Sequence, residues 1–270
     1  MNFLKKVRES NPLVHNITNI VVANFTANGL LALGASPFMA DSCEEMEDVA
    51  AMAGAVVLNI GTLNDRTIEA MRLAGQAANK LGVPLVLDPV GAGATPYRTE
   101  VTHRLIGELK LTALRGNVAE VAHVIGEQWN IKGVDAGDGD GDRLGLAVRA
   151  ANKLGCIVII TGAEDVVSDG KTAYLVRGGD PILTRVTGTG CLLSAVVGAF
   201  LAVAEDHPLE AAAEALAVYA AAAELAAEAA GDRGPGSFQM EFLNMLARIT
   251  PEECSRRANM VQAQLPVIWG

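Results

Sequence analysis

Basic residues, aromatic side chains, paired cysteines and long apolar runs are all scarce in this sequence, and each scarcity excludes a class of function. Lys and Arg number 21 against 31 Asp and Glu, giving a formal net charge of -10, and aromatic residues make up only 4% of the 270 positions. No excess of cations is available to neutralise a phosphate backbone and few rings are available to stack on bases, so no nucleic-acid partner is expected. Cys43, Cys156, Cys191 and Cys254 are scattered, without a CxxC spacing or an adjacent His to suggest zinc. They read as reduced thiols of a cytoplasmic protein. The first ten residues mix Lys, Arg and Glu among the apolar ones and lack the apolar core of a signal peptide. The longest apolar stretch, residues 191–204, falls short of the roughly 20 residues a spanning helix needs, so no membrane segment is expected.

What the chain does have is core. Hydrophobic residues make up 50% and charged residues 19%, enough to bury the interior of one compact domain over residues 1–270. Apolar runs of strand length recur at residues 55–60, 85–88, 112–114 and 156–161, separated by longer helical patterns, and this alternation predicts an α/β fold with a mostly parallel sheet. Asn64-Asp65 opens a helix that runs to Leu81 and stops at Gly82, with Pro84 beyond it. Between residues 165 and 176, two strand-like runs flank Asp169-Gly170-Lys171 and predict an antiparallel hairpin. After Gly190 the pattern is almost wholly helical, and Glu210, Glu214, Glu224 and Glu228 are spaced to share helix faces in pairs. Residues 135–142, rich in Gly and Asp, predict an exposed loop. Asp138, Asp140 and Asp142 alternate as in the first half of a calcium loop, but Arg149 stands where the closing Glu belongs, so a solvated acidic turn is expected.

The segment with the most chemical content is Val186-Thr187-Gly188-Thr189-Gly190-Cys191, which leads directly into the apolar helix predicted over residues 192–204. Two glycines let the backbone approach a ligand closely, and the free N–H groups and dipole of a helix start favour an anion. The same turn is equally a plain structural entry into a core helix. A thiol at position 191 would feel the helix dipole, which favours its thiolate, while an incoming phosphate opposes ionisation. Cys191 is thus a candidate, weakly poised general base.

Thr187-Gly188-Thr189-Gly190-Cys191 resembles the anion-hole motif of the ribokinase-like kinases, in the form found in the hydroxyethylthiazole kinase family; most proteins with this motif have Asp where this chain has Cys191. Four further segments are similar to the same family, in the same order: His15-Asn16-Ile17-Thr18-Asn19, Gly34-Ala35-Ser36-Pro37 with Met39, Leu87-Asp88-Pro89-Val90-Gly91-Ala92-Gly93, and Arg115-Gly116-Asn117-Val118-Ala119-Glu120. The resemblance implies a ribokinase-like three-layer α/β fold, with a mostly parallel central sheet flanked by helices and a helical C-terminal third. It implies ATP-dependent phosphorylation of the hydroxyl of 4-methyl-5-(2-hydroxyethyl)thiazole in thiamine salvage, with ATP and Mg2+ as cofactors, and a homotrimer whose pockets lie between subunits. By residue, it implies catalytic roles for Gly188, Thr189, Gly190 and Cys191, and nucleotide contacts from Arg115 and Thr161. It implies metal support from Asp88 and Glu120, and contacts to the thiazole alcohol from Met39, Gly188 and Asn19, with Thr18 a weaker candidate.

Phosphoryl transfer asks a protein mainly for positioning and charge stabilisation. Asp88 at the end of a strand and Glu120 at the start of a helix are both expected at the carboxyl edge of the sheet, where open α/β folds bind ligands. Each residue also has a plain structural reading. Asn117 with Glu120 reads as a helix cap, Asp88 before Pro89 as a turn initiator, Arg115 as a surface ion pair and Thr161 as a strand end. Met39 reads either as a thioether against an aromatic ring or as a core filler, and His15 as a satisfied buried histidine. Two other functions share these motifs: a ribokinase-like kinase acting on a hydroxymethylpyrimidine or a sugar, and a non-catalytic nucleotide-binding regulator.

Overall fold

The computed structural model describes residues 2–127, 143–257 and 259–265, so the loop and acidic turn expected at 135–142 lie outside the described residues. Nine described strands form one sheet in the order β2-β1-β3-β4-β5-β6-β7-β8-β9. β1 (Leu13–Ile17), β2 (Ser36–Phe38), β3 (Ala55–Asn59), β4 (Leu85–Asp88), β5 (Ala113–Asn117) and β6 (Ile157–Thr161) run parallel. β7 (Glu164–Ser168) and β8 (Ala173–Arg177) form the expected antiparallel hairpin, and β9 (Asn259–Gln262) adds antiparallel to β8.

Helices cover both faces of the sheet. On one face α1 (Phe3–Ser10), α2 (Ala23–Leu33), α8 (Thr189–Leu201), α9 (Pro208–Ala230) and α10 (Pro235–Arg248) share a core with Val57, Ile157 and Ile159. On the other, α3 (Met46–Met52), α4 (Asp65–Leu81), α5 (Pro96–Glu108), α6 (Val118–Val124) and α7 (Arg143–Leu154) pack on Val56, Leu58, Val158 and Ile160. A short α11 (Pro251–Arg257) follows α10. Successive side chains of a strand point to opposite faces, and here both faces are apolar. Uninterrupted runs such as Ala55-Val56-Val57-Leu58 are therefore what a doubly covered parallel strand requires.

The helix expected from Asp65 to Leu81 is capped as its sequence suggests. The Asn64 side chain accepts the Thr67 N–H, and Gly82 closes the helix at φ 71°. Three strands depart from the apolar-run reading. β1 contains His15 and Asn16, β2 is three residues long with Pro37 at its centre, and β9 is a short, half-polar segment placed by pairing with β8 after a helical excursion. The C-terminal third is accordingly helical up to α11 and then returns to the sheet. β5 also runs past Leu114 through Arg115-Gly116-Asn117, since ladder pairing with β6 continues to Asn117 and Thr161.

α9 shows what the Ala-rich sequence is for: small side chains let it lie buried between α8 and α10, while Phe242 of α10 stacks on Phe238 and meets Tyr219 of α9 edge-on at 4.8 Å. Glu214, expected on a shared face with Glu210, is buried, and its two oxygens accept the N–H groups of Asn2 and Leu4 at 3.0 Å each. No side chain at α1's own N-cap does so, so α9 supplies the partners that the orphan donors of a helix start require. Glu214→Ala is expected to lower the unfolding free energy by about 2 kcal/mol, because the buried Leu4 N–H and the part-buried Asn2 N–H lose their acceptors. Urea unfolding of both proteins measures it, and unchanged stability would refute the capping role.

Candidate active site

Six parallel strands ending in the same direction bring residues far apart in sequence to one edge. Asn59, Asp88, Asn117 and Thr161 are the last residues of β3, β4, β5 and β6, with Asn59 beside Asp88 and Asn117 beside Thr161 in register. Asn19 follows β1 by two residues and Met39 follows β2 by one. This is the carboxyl edge, and the start of α8 arrives at the same place.

Gly188 is the N-cap of α8, with φ 90°. A Cβ there would also fall 2.6 Å from Val22 Cγ1, so backbone conformation and space both demand glycine. A Cβ on Gly190 would sit 2.8 Å from the Arg115 guanidinium. No side chain caps this helix, which leaves its first-turn N–H groups as orphan donors aimed out of the helix start. The turn itself is fixed from behind. Tyr219 donates its hydroxyl to the Thr189 carbonyl at 2.6 Å, and Leu192 to Leu201 are all buried. The Thr189 hydroxyl donates to the carbonyls of Leu183 and Val186, at 3.1 and 3.3 Å, so what Thr189 offers a ligand is its backbone N–H.

Arg115 and Thr161 meet beside this turn, Nη2 of Arg115 donating to Oγ1 of Thr161 at 2.6 Å. Nη1 of Arg115 lies 3.7 Å from Oδ2 of Asp88. Asp88 has no solvent exposure; Oδ2 accepts from Asn59 at 2.9 Å and Ser194 at 2.8 Å, while Oδ1 is buried without a partner. Burial drives its carboxyl from 3.8 up to about 6, against the opposing pull of Arg115 and of the Ser194 and Asn59 hydrogen bonds, with Glu120 adding to the rise.

Cys191 lies in the first turn of α8, and Nδ2 of Asn19 approaches its sulfur at 3.5 Å. The dipole expectation is outweighed here: burial first, then the charge of Asp88, push the thiol up, with Asn59, Asn19 and Arg115 pulling the other way. Cys191 therefore holds its proton more firmly than a free thiol. Glu120 forms the capping box of α6, Oε2 accepting from Asn117 N–H at 2.8 Å, while Oε1 accepts from Gly91 N–H at 2.9 Å. Its cap role and its place at the edge are compatible, since each carboxylate oxygen keeps a second lone pair. Met39 is 38% exposed, so it is not a core filler. His15 is buried, with Nε2 donating to the Ala40 carbonyl at 2.9 Å.

Among the described residues, no group of three or more His, Cys, Asp or Glu gathers to hold a metal unaided. Magnesium at phosphates characteristically uses one or two carboxylates plus waters and the phosphates themselves. The unpartnered Oδ1 of Asp88, with Glu120 close enough to influence it, fits that mode.

A cleft of about 600 Å³ opens beside the turn, lined by Arg115, Thr161, Thr189, Gly190, Asp165 and Tyr219 among others. Asp165 is a lining residue that sequence reasoning missed, its carboxyl pushed up to about 6 chiefly by burial. Asn59 and Ser194 were missed too. The available signal for Asn59 was a lone amide closing an apolar strand, a group that has to find partners when both faces are covered. Arg98 is the fourth. From α5 its guanidinium donates to the carbonyls of Ile60, Gly61 and Val90 at 2.7 to 2.8 Å, clamping the loops after β3 and β4.

The model of the hydroxyethylthiazole kinase family matches residues 4–252. Among solved structures, the hydroxyethylthiazole kinase protein of Pyrococcus horikoshii OT3 is similar over 97% of this chain and 98% of its own, with 43% identity and a TM-score of 0.88. A pyridoxal kinase of Staphylococcus aureus, solved with AMP-PCP, shares the fold at 20% identity and a TM-score of 0.56, covering 78% of this chain and 88% of its own. A ribokinase-like superfamily protein of Enterococcus faecalis V583 does so at 14% identity and a TM-score of 0.59, covering 87% and 86%. The ribokinase-like three-layer architecture expected from the sequence is thus the one observed. Among the described residues, no helix is long and apolar enough to cross a membrane.

The raised carboxyl of Asp88 has a thermodynamic consequence. Its pKa is about 6 in the fold against 3.8 outside it, so the folded chain binds this proton more tightly, and stability falls as pH climbs through that window. Asp88→Asn removes the effect. Its stability relative to the native chain is expected to rise by on the order of 2 kcal/mol between about pH 4 and about pH 7, and Asp165, present in both proteins, cancels. Urea unfolding at the two pH values checks this, and a pH-independent difference would refute it.

Proposed function

The chain belongs to the hydroxyethylthiazole kinase family and is a kinase; from that premise we propose that it transfers the γ-phosphoryl group of ATP to the primary hydroxyl of 4-methyl-5-(2-hydroxyethyl)thiazole, giving the thiazole phosphate of thiamine biosynthesis and salvage. The observation that supports this most directly is the first turn of α8. Its N–H groups are uncapped, it is held from behind by Tyr219, and Arg115, 3.7 Å from the buried Asp88, lines the cleft beside it. Donors fixed before the reaction begins stabilise charge on a transferring phosphoryl group without reorganising for it.

In the proposed step the substrate oxygen bonds to the γ-phosphorus as the bridge to the β-phosphate breaks. The electron pair of that bridge leaves on ADP, and the hydroxyl proton passes to the ionised fraction of Cys191. The backbone of Gly188, Thr189, Gly190 and Cys191 receives the charge in transit, and Arg115 with Thr161 meets the nucleotide phosphates. Asp88 and Glu120 would hold Mg2+, which when bound neutralises phosphate charge. Asn19 and Gly188 border the acceptor side, where Met39 presents its thioether to the thiazole ring. The resemblance further supports a cytoplasmic enzyme in which residues 1–270 act as one kinase domain, and a homotrimer with pockets between subunits. Ile20 at 85% exposure and Val21 at 66%, beside Asn19, and Met39 leave apolar surface next to the acceptor side that a neighbouring subunit would cover.

A coupled ADP-release assay tests the acceptor. The thiazole alcohol is expected to be turned over in preference to the hydroxymethylpyrimidine alcohol and ribose. Preference for either of those reassigns the enzyme, and ADP release with none makes it a nucleotide-binding protein. In the same assay Cys191→Ser is expected to lower turnover about tenfold with ATP affinity retained, since a loose transition state needs little base assistance. Undiminished turnover would rule the base role out. Analytical ultracentrifugation is expected to give three times the mass of the chain, and a single-chain mass would refute the trimer.

A further inference from the structure

One buried side chain touches both halves of this site. Oδ1 of Asn59 accepts from Nδ2 of Asn19 and from Gly61 N–H, both at 2.9 Å, while its Nδ2 donates to Oδ2 of Asp88 at 2.9 Å. A backbone N–H can only donate and an ionised carboxylate can only accept, so the amide has a single workable orientation. A flip would set donor against donor at Gly61 and acceptor against acceptor at Asp88.

The contacts continue on either side. The Asn19 amide nitrogen has two hydrogens, and its neighbours are Asn59 Oδ1 at 2.9 Å and Cys191 Sγ at 3.5 Å. Oδ2 of Asp88 takes a second hydrogen bond from Ser194 Oγ at 2.8 Å, and Ser194 lies one turn beyond Cys191 on α8. The path Cys191, Asn19, Asn59, Asp88, Ser194 is a ring closed through the α8 backbone. It joins the loop after β1, the ends of β3 and β4, and the helix start. Asn59 is 1% exposed, so water does not readily replace it. A Cβ on Gly61 would fall 2.6 Å from the Asn19 amide nitrogen, so even the neighbouring backbone is shaped to let Asn19 reach Asn59.

We propose that Asn59 is a positioning residue for phosphoryl transfer, holding Asp88 through Oδ2 so that Oδ1 stays free of hydrogen bonds and holding Asn19 against Cys191, so that the two sides of the α8 start keep one register. This rests on the kinase reading above. The role is distinct from simple core polarity, because the two ends of one amide serve two different groups and two substitutions separate them. Asn59→Asp keeps the acceptor for Asn19 and Gly61 but turns a carboxylate on Asp88, and two such groups in contact do not both ionise. Asn59→Ala removes both ends.

The experiment pairs steady-state kinetics with iodoacetamide alkylation of the ligand-free protein, quantified for each cysteine by peptide mass spectrometry. Both variants are expected to lose about 10- to 100-fold in kcat, the usual effect of losing a residue that orients a ligand-binding group, with KM for ATP and for the thiazole alcohol changed by less than about threefold. In Asn59→Asp, Cys191 is expected to react more slowly than in the native protein, because the amide that lowers its pKa is lost and an acidic group takes its place. In Asn59→Ala its rate is expected to change at least about fivefold, since the thiol loses its oriented neighbour. The buried Cys156 and Cys254 stay slow in every protein whose fold is intact and so report unfolding separately.

Any one of three results overturns the proposal: a native kcat in either variant, a loss carried by KM instead of kcat, or native Cys191 reactivity in Asn59→Ala. Failure of both variants to fold would do so as well, by assigning Asn59 to the core alone. Native protein inactive toward ATP and the thiazole alcohol would overturn the kinase reading and this role together, a result distinct from active native protein with unaffected variants.

Discussion

Asp88 is a carboxylate taken wholly out of water at the end of an interior strand, and much of the surrounding structure is organised by what that requires. A buried charge is tolerated only when it is paired and hydrogen-bonded. Here the guanidinium of Arg115 lies 3.7 Å away, and Asn59 and Ser194 donate to the same oxygen. Each of those partners is tied to something else in turn: Arg115 to Thr161, Asn59 to Asn19, and Ser194 to the helix that starts at Gly188. Satisfying one carboxylate thereby fixes the relative placement of four strand ends and one helix start. The other oxygen is buried and takes no hydrogen bond from the fold.

The α8 start makes the complementary demand. A helix whose first turn is uncapped keeps donors free for an anion, yet forgoes the stabilisation that a cap gives. The compensation comes from its far side, where residues 192–201 are buried and Tyr219 holds the first-turn carbonyl. Ala-rich α9 makes this possible, since only small side chains let α8 and α10 approach it closely enough to place Tyr219 beneath Thr189. The electrostatics at Cys191 follow from the same enclosure. A helix dipole acting on a solvated thiol would favour the thiolate, but here desolvation and the charge on Asp88 dominate and favour the thiol. The site therefore leans on fixed dipoles and charges more than on a strong base, which suits a reaction with little need of one.

Local chemistry made a good part of this legible from the chain. The Asn64 cap and Gly82 stop of α4, the hairpin around Asp169-Gly170-Lys171 and the apolar strands at β3 and β6 depend on neighbours in sequence, and all were readable there. β1 was concealed by His15 and Asn16, polar residues that the fold buries, His15 against the Ala40 carbonyl and Asn16 against the carbonyl of Val14 in its own strand. β9 was concealed because Asn259-Met260-Val261-Gln262 is short and half polar, and its strand conformation comes from pairing with the edge of β8. In the site, the glycine pair at 188 and 190 and the ordered motifs around Asp88, Arg115 and Glu120 stood out. Asn59, Ser194, Asp165 and Arg98 did not, because an Asn, a Ser, an Asp or an Arg carries no mark of what it will face.

The sequence by itself determined most of the helices and the apolar interior strands, that both faces of the sheet are covered, and that a glycine-rich turn opens a buried helix, since these follow from periodicity, capping and backbone freedom within a few residues. Only the tertiary structure decided that Asn59 joins Asn19 to Asp88, that Glu214 caps α1, and that the Cys191 thiol is held protonated. Those outcomes depend on groups separated by tens to hundreds of residues meeting in a region from which water has been removed, and desolvation and hydrogen-bond partnership are properties of that meeting, absent from any one stretch of chain.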